Sequence, residues 1–273
     1  GVNAESRSLC WLPYFHDYGL VHGILAPLYA GIPAFLLSPL TFLRRPLRWL
    51  EAIDRWDITH SGAPSFAYDA CVKAYQKQPG WSGDLARWAV ASCGAEPIHH
   101  RTINTFTQVF APHGFKGNAF MPAYGLAEAT LVVSSTSRSE SPHMITVDSA
   151  ALESHRVEPR SPDKAGVREL VGCGRPLPGS QVIIVEPGSG VECAAGQVGE
   201  IWVSSPSVAL GYWRRAEATS EAFNAQVSGR PADHFLRTGD LGFLSDGQVV
   251  ITGRLKDLII LNGRNIYPQD LEA

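Results

Sequence analysis

Four stretches of the chain carry residue types that could do chemistry. Arg237-Thr238-Gly239-Asp240 sets a carboxylate beside a glycine turn, and Gly253-Arg254-Leu255-Lys256-Asp257 follows with a guanidinium and an ammonium. A fixed carboxylate accepts hydrogen bonds from a diol, and a fixed guanidinium pairs with an anion. Read blandly, Asp240 is a turn residue, Arg254 a charge at the end of a strand and Lys256 a surface lysine. Ala123-Tyr124-Gly125-Leu126-Ala127-Glu128 puts an aromatic ring, a glycine and a carboxylate within five positions. Tyr124 could lie on a base, and Glu128 could hold a hard cation such as magnesium. The plain alternative is a glutamate in the first turn of a helix, favoured there by the dipole.

The other two stretches are shorter. His16-Asp17 stands before an apolar run, so its side chains either point into a cleft or belong to a helix cap. Gly94-Ala95-Glu96 follows a strand-like segment, and small residues at such a place let a flat ligand approach the backbone. An ordinary turn between a strand and a helix reads equally well there.

The elements that must position these residues follow from periodicity. Leu20, Val21, Ile24, Leu25 and Leu28 fall on one helical face and predict a buried helix closed by Gly31, with a buried strand over Ala34 to Leu37. Helical stripes at Leu47, Leu50 and Ile53, at Phe66, Ala67, Ala70, Cys71 and Ala74, and at Ile103, Phe106 and Phe110 alternate with strands over Ile58 to Ser61 and Arg87 to Ser92. That alternation predicts an α/β fold with a mostly parallel sheet and covering helices, whose ligands bind beyond the carboxyl ends of the strands. From Ser134 to Val167 the text is polar, with room for one strand and one short helix. Beyond Val171 it turns all-β. Strands are expected at Val182 to Val185, Glu200 to Ser204, Leu241 to Ser245 and Gln248 to Thr252, with Asp246-Gly247 as a two-residue hairpin turn and one short helix at Thr219 to Phe223. This half suits a small distorted β-barrel subdomain. Pro268 to Glu272 reads as the start of a further helix.

Composition narrows the classes. The chain has 273 residues, 45% of them hydrophobic, enough to bury a core. A formal net charge of −3 argues against a nucleic-acid binder, which would show a basic stripe. No apolar run approaches the roughly 20 residues of a transmembrane helix, and the opening residues do not read as a secretory signal. Cys10, Cys71, Cys93, Cys173 and Cys193 form no Cys-x-x-Cys pair, which suggests reduced, mostly buried thiols and a cytoplasmic setting.

Taken in order, these motifs resemble the adenylate-forming ligase superfamily of acyl-CoA synthetases, luciferase-like enzymes and adenylation domains. The resemblance runs through His16-Asp17-Tyr18-Gly19-Leu20, Gly94-Ala95-Glu96-Pro97, Tyr124 to Glu128, Gly199-Glu200-Ile201-Trp202-Val203, Gly211-Tyr212-Trp213, Arg237 to Asp240 and Gly253 to Asp257, and covers nearly the whole chain. Within the superfamily the chain looks most like a long-chain fatty-acyl-AMP ligase. Trp11 to Leu20, Arg44 to Leu50, Tyr124 to Thr130 and Gly263 to Glu272 carry that finer likeness.

The resemblance implies ATP and Mg2+ as cofactors, a fatty acid as substrate, and an acyl carrier protein, or a polyketide or peptide synthase, as acceptor. Tyr124 would stack on adenine with Ala123 and Gly125 beside it, and the backbone of Gly94, Ala95 and Glu96 would flank the base. Asp240 would accept from the ribose hydroxyls, helped by Arg254. The catalytic set would be Glu128 on magnesium, His16 near the reacting carboxylate of the acyl channel, and Lys256 as the hinge of a following domain. The implied organisation is an α/β subdomain over 1–135, a polar insertion over 136–167 that disfavours thioester formation with CoA, a β-barrel subdomain over 168–253, and a hinge with the start of a C-terminal domain over 254–273. Ala127 stands where many relatives have a threonine that touches the α-phosphate, so another donor must serve. The Ser/Thr/Gly-rich phosphate loop is expected before Gly1 and the catalytic lysine after Ala273, so the chain alone is expected not to complete adenylation. A fatty-acyl-CoA ligase and a non-catalytic nucleotide or acyl binding module are the competing readings.

Overall fold

The computed structural model describes residues 2–78, 80–261 and 264–266. The helix start expected at Pro268 lies outside them. The chain divides into two units, one made of Gly1–Ala123 with Thr136–Pro142, the other of Tyr124–Ser135 with His143–Ala273.

The first unit holds strands β1 (Ser8–Cys10), β2 (Ala34–Leu36), β3 (His60–Ala63), β4 (Val90–Cys93) and β5 (Phe120–Gly125), the last running on into the second unit. They lie in the order β2-β1-β3-β4-β5, and every pairing is parallel. The crossovers carry helices α1 (Ala26–Ala30), α2 (Pro39–Arg44), α3 (Leu47–Arg55), α4 (Ser65–Lys77) and α5 (His100–Phe110). Aromatic side chains fill the core: Trp49, Tyr68, Trp88, Phe106, Phe110 and Phe120 are each at most 1% exposed. Their rings meet mostly edge to face, as at Trp49–Trp88 (5.2 Å) and Tyr68–Phe106 (5.1 Å). Their polar tips are satisfied on the strands. The Trp49 indole N–H donates to Ser61 Oγ at 2.8 Å, that of Trp88 to the Val90 carbonyl at 2.9 Å, and the Tyr68 hydroxyl to the Ser92 carbonyl at 2.8 Å.

Two expectations fail in this unit. The helix after Asp17 is a π-helix over Tyr18–Leu25 before α1 takes over. Its wider turn sends Tyr18, Gly19 and Gly23 inward, and Pro27 follows in α1. A Cβ on Gly23 would stand 2.5 Å from Cys10 Sγ, so at Gly23 the backbone itself meets Cys10. Leu20, Leu25 and Leu28, assigned to a buried face on α-helical spacing, are exposed. Strand β2, expected to be buried, is the outermost strand and largely exposed. Gly31 does close α1, at φ +66°.

The second unit holds β6 (Val132–Ser135), β7 (Met144–Asp148), β8 (Val167–Val171), β9 (Arg175–Pro176), β10 (Gln181–Val185), β11 (Gly199–Ser204), β12 (Ala225–Val227), β13 (Arg230–Ser245), β14 (Gln248–Arg254), β15 (Ile259–Leu261) and β16 (Arg264–Ile266), with helices α6 (Ser149–Glu153) and α7 (Ala216–Phe223). The main sheet runs β10-β11-β13-β12, with β14 paired to β13, and all of these pairings are antiparallel. Asp246 and Gly247, at φ 50° and 75°, make the hairpin turn that their dipeptide predicts.

The polar stretch contributes one strand and one helix, β7 and α6. Asp148 caps α6 by accepting from Ala151 N at 2.9 Å. β7 pairs antiparallel with β8, and Val147 and Leu152 enter one core with Leu170, Val198, Leu241, Phe243 and Val250. Among the described residues no helix is long and apolar enough to cross a membrane. Four of the five cysteines are buried, and burial raises the Cys173 thiol to about 12.

Candidate functional site

Asp240 owes its position to a fault in the β-ladder. Glu200 of β11 faces Leu241 of β13, while Trp202 faces Arg237, so two steps along β11 are met by four along β13. The surplus loops out around Gly239, which takes φ 71°. Glu200 is 2% exposed, accepts from Nε and Nη2 of Arg237 at 3.2 and 3.1 Å, and accepts from Gly239 N at 3.2 Å. Thr238 Oγ1 donates to the Ile201 carbonyl at 2.7 Å and accepts from Asp240 N at 3.1 Å.

The carboxylate of Asp240 is thereby held 7% exposed, where an unpaired charge would be costly. It is bonded at both ends. Tyr124 Oη donates to Oδ2 at 2.7 Å, and Arg254 Nε donates to Oδ1 at 2.9 Å. Arg254 faces Asp240 directly across β13 and β14. The hydrogen bond to Asp240 raises the Arg254 pKa, and burial, with the Asp240 charge next, raises that of Tyr124. An ionised carboxylate has about four lone-pair positions, so two remain for the donors of a diol.

Tyr124 and Gly125 end β5, and Ala127–Ala129 is a single 3-10 turn. Glu128 thus does not open a longer helix. A Cβ on Gly125 would stand 1.8 Å from the Leu131 carbonyl oxygen, so only glycine lets the chain fold back this tightly. Thr130 leaves the turn at φ 68°. Glu128 Oε1 accepts from Tyr212 Oη at 2.6 Å, a bond that raises the Tyr212 phenol to about 12. Lys256 lies exposed in the turn after β14, which is pinned by Leu255 N on the Gly239 carbonyl at 2.8 Å.

The remaining candidates belong to the first unit. A Cβ on Gly94 would stand 2.7 Å from the Ala123 carbonyl oxygen, which explains the glycine. Ala95 takes φ 67°, strained for a residue with a side chain. Glu96 accepts from Phe66 N at 2.6 Å, in the first turn of α4, and burial raises its pKa against the opposing effect of that bond. Its side chain is therefore engaged with a helix end. His16 is exposed, with Nδ1 2.6 Å from Asp17 Oδ1, and Asp17 caps the π-helix through Tyr18 N at 2.7 Å. The capping role considered for Asp17 is present.

The second unit therefore brings together Tyr124, Asp240 and Arg254, and places Glu128 on its own turn. Sequence reasoning passed over three supporting residues: Glu200, Thr238 and Tyr212. All three stand in quoted motifs, but nothing in spacing alone marks a buried glutamate, a hydroxyl bridging two strands or the target of a phenol.

The family model for AMP-binding enzymes matches residues 1–213. The chain belongs to the AMP-binding enzyme family. It is 47% identical over 274 residues to the medium-chain-fatty-acid–[acyl-carrier-protein] ligase JamA of Moorena producens, covering all of this chain and 46% of that protein. It is 42% identical over 274 residues to the long-chain-fatty-acid–AMP ligase FadD26 of Mycobacterium marinum, covering 99% of this chain and 47% of that protein. The crystal structure of the fatty acyl-adenylate ligase of Legionella pneumophila with acyl adenylate and pyrophosphate superimposes with a TM-score of 0.88 at 43% identity, over 94% of this chain and 44% of that one. The resemblance to fatty-acyl-AMP ligases, and the mostly parallel sheet followed by a curled antiparallel one, both hold. The chain spans about half the length of the curated relatives it matches.

Proposed function

We propose that the protein carrying this chain activates a fatty acid with ATP to an acyl-adenylate and passes the acyl group to an acyl carrier protein or a polyketide or peptide synthase. An oxygen of the fatty carboxylate forms a bond to the α-phosphorus while the bond to pyrophosphate breaks. The thiol of the carrier's phosphopantetheine then attacks the acyl carbon, and AMP leaves. Such phosphoryl chemistry is mostly positioning and neutralisation of charge on phosphate oxygens.

The observation that carries this reading is the Asp240 carboxylate, fixed at both oxygens by Tyr124 and Arg254 with lone pairs to spare. In this assignment Asp240 holds the ribose, Tyr124 the adenine, and the backbone of Gly94 and Ala95 also serves the base. His16 serves the acyl carboxylate, and Lys256 is the hinge. Among the described residues no three His, Cys, Asp or Glu side chains converge on a metal. A lone glutamate fits Mg2+, which is commonly held by one or two carboxylates together with a nucleotide's phosphates. Glu128 would hold it, and when bound the ion would neutralise phosphate charge. The packing of Val147 and Leu152 into the β core supports the acyl-AMP reading over the CoA reading, because the segment assigned here as the insertion packs against the strands that follow it. The buried thiols suit the cytoplasm.

The test is fatty-acid-dependent ATP–pyrophosphate exchange by the full-length protein. Asp240→Ala abolishes it. Wild-type exchange in that variant overturns the ribose assignment, and efficient release of acyl-CoA overturns the carrier assignment.

A further inference from the structure

The Glu128 carboxylate is held by the loop before α7 rather than by its own turn. The 3-10 turn closes its backbone through Ala129 N on the Leu126 carbonyl at 3.1 Å and Thr130 N on the Ala127 carbonyl at 3.0 Å, and its exit at Thr130 is strained. Three bonds tie it to residues 205–212. The Ser207 carbonyl accepts from Thr130 Oγ1 at 2.8 Å, Ala209 N donates to the Glu128 carbonyl at 2.8 Å, and Tyr212 Oη donates to Glu128 Oε1 at 2.6 Å. The first anchors the Thr130 side chain, the second the Glu128 backbone, and the third fixes the carboxylate.

Tyr212 is itself fixed. Its N–H donates to Thr219 Oγ1 at 2.9 Å, and its ring meets Phe223 edge-on at 5.1 Å. The preceding Gly211 takes φ +144°, and a Cβ there would stand 2.2 Å from Thr219 Cγ2. The loop thus presses closely on α7 and delivers the phenol as a rigid donor.

We infer that Tyr212 is the positioning residue of the metal-binding glutamate: it locks the Glu128 carboxylate through Oε1 and leaves Oε2 to a magnesium–nucleotide. This rests on the assignment of Glu128 to magnesium above. The choice of a phenol has a physical logic. A lysine or arginine would orient the carboxylate but cancel the charge that attracts the cation, whereas a phenol orients it and stays neutral. Partners that orient a metal ligand in this way commonly matter tenfold or more to metal affinity.

The experiment uses the full-length protein and three variants: Tyr212→Phe, Glu128→Gln and the double variant. Calorimetric titration with ATP is carried out in excess magnesium and in EDTA, and exchange rates are measured against magnesium and against fatty acid. Tyr212→Phe weakens ATP binding about tenfold in magnesium and leaves binding in EDTA unchanged. It raises the KM for magnesium about tenfold, with the KM for fatty acid unmoved. In the Glu128→Gln background the same substitution has no further effect on magnesium dependence. An unchanged magnesium response in Tyr212→Phe, an equal loss with and without magnesium, or additive effects in the double variant overturns the inference. If Glu128→Gln itself keeps the wild-type magnesium response, the metal assignment fails instead, so the two failures are distinguishable.

Discussion

Replacing Tyr124 with Phe removes one oxygen atom and tests directly the assembly of the Asp240 carboxylate, proposed above to hold the ribose. The ring stays, so packing is conserved and no cavity opens. What is lost is a 2.7 Å hydrogen bond from a phenol that is 8% exposed to a carboxylate that is 7% exposed. Bonds to charged groups contribute about 1.5–3 kcal/mol, and water has little access to replace this one. Arg254 holds only the other oxygen and is itself largely exposed, so it cannot take over the missing donor. The expected loss of stability is therefore about 2 kcal/mol, read as a lower urea midpoint with an unchanged slope. In an Asp240→Asn background, where the charged acceptor is already gone, the same change should shift stability by less than about 0.5 kcal/mol. On the proposed ribose role, the carboxylate, now tethered at one end, should also bind ribose less well in the full-length protein, raising the KM for ATP about tenfold and leaving that for the fatty acid alone. A Tyr124→Phe protein within about 0.5 kcal/mol of the parent, with an unchanged KM for ATP, would refute the claim that this bond organises the site.

Two further outcomes follow from backbone and burial. Gly125→Ala should sharply reduce soluble yield, because its Cβ would sit 1.8 Å from a carbonyl oxygen, whereas Gly188→Ala, at φ +84° with nothing within 4 Å, should lose only about 1–2 kcal/mol to strain; equal melting temperatures for the two variants would contradict this. His22 and His60 are both held to about 4 by burial, with each other's charge next for His22 and that of Arg138 next for His60. Unfolded histidines take up protons near 6.5 and the folded ones only near 4, so stability is level above pH 6.5 and falls as pH drops toward 4. At about 1.4 kcal/mol per unit this is about 3 kcal/mol for His22, and His22→Gln should flatten the slope of melting temperature against pH over that window. A slope unaltered by the substitution would contradict the half-buried, neutral state.

The alternation of strands and helices up to Phe120 was legible because each element writes its period into the chain. The Ile103, Phe106 and Phe110 stripe became part of the aromatic core, and Asp246-Gly247 became the hairpin turn. The π-helix was not legible. Leu20, Leu25 and Leu28 satisfy the α-helical period, and the wider turn instead brings Gly19 and Gly23 into surroundings that leave no room for a Cβ. Likewise the exposure of β2 follows from its place at the end of the strand order, a property of topology that Ala34 to Leu37 cannot encode locally.

At the site, the residues that would meet ligand were easier to find than those that hold them. Asp240, Tyr124 and Glu128 sit in short motifs with unusual chemistry, so type and spacing single them out. Glu200, Thr238 and Tyr212 are 39, 2 and 84 positions from Gly239, Asp240 and Glu128, which they hold, and their importance lies in a ladder fault and a loop that only the fold creates. A carboxylate only 7% exposed needs hydrogen-bond partners, and those partners come from wherever the sheet brings them. The glycines bridge the two levels. Gly239 and Gly125 are visible in the sequence as motif letters, and the structure shows why each is a glycine: one turns the bulge that presents Asp240, and the other lets the chain fold back just before Glu128.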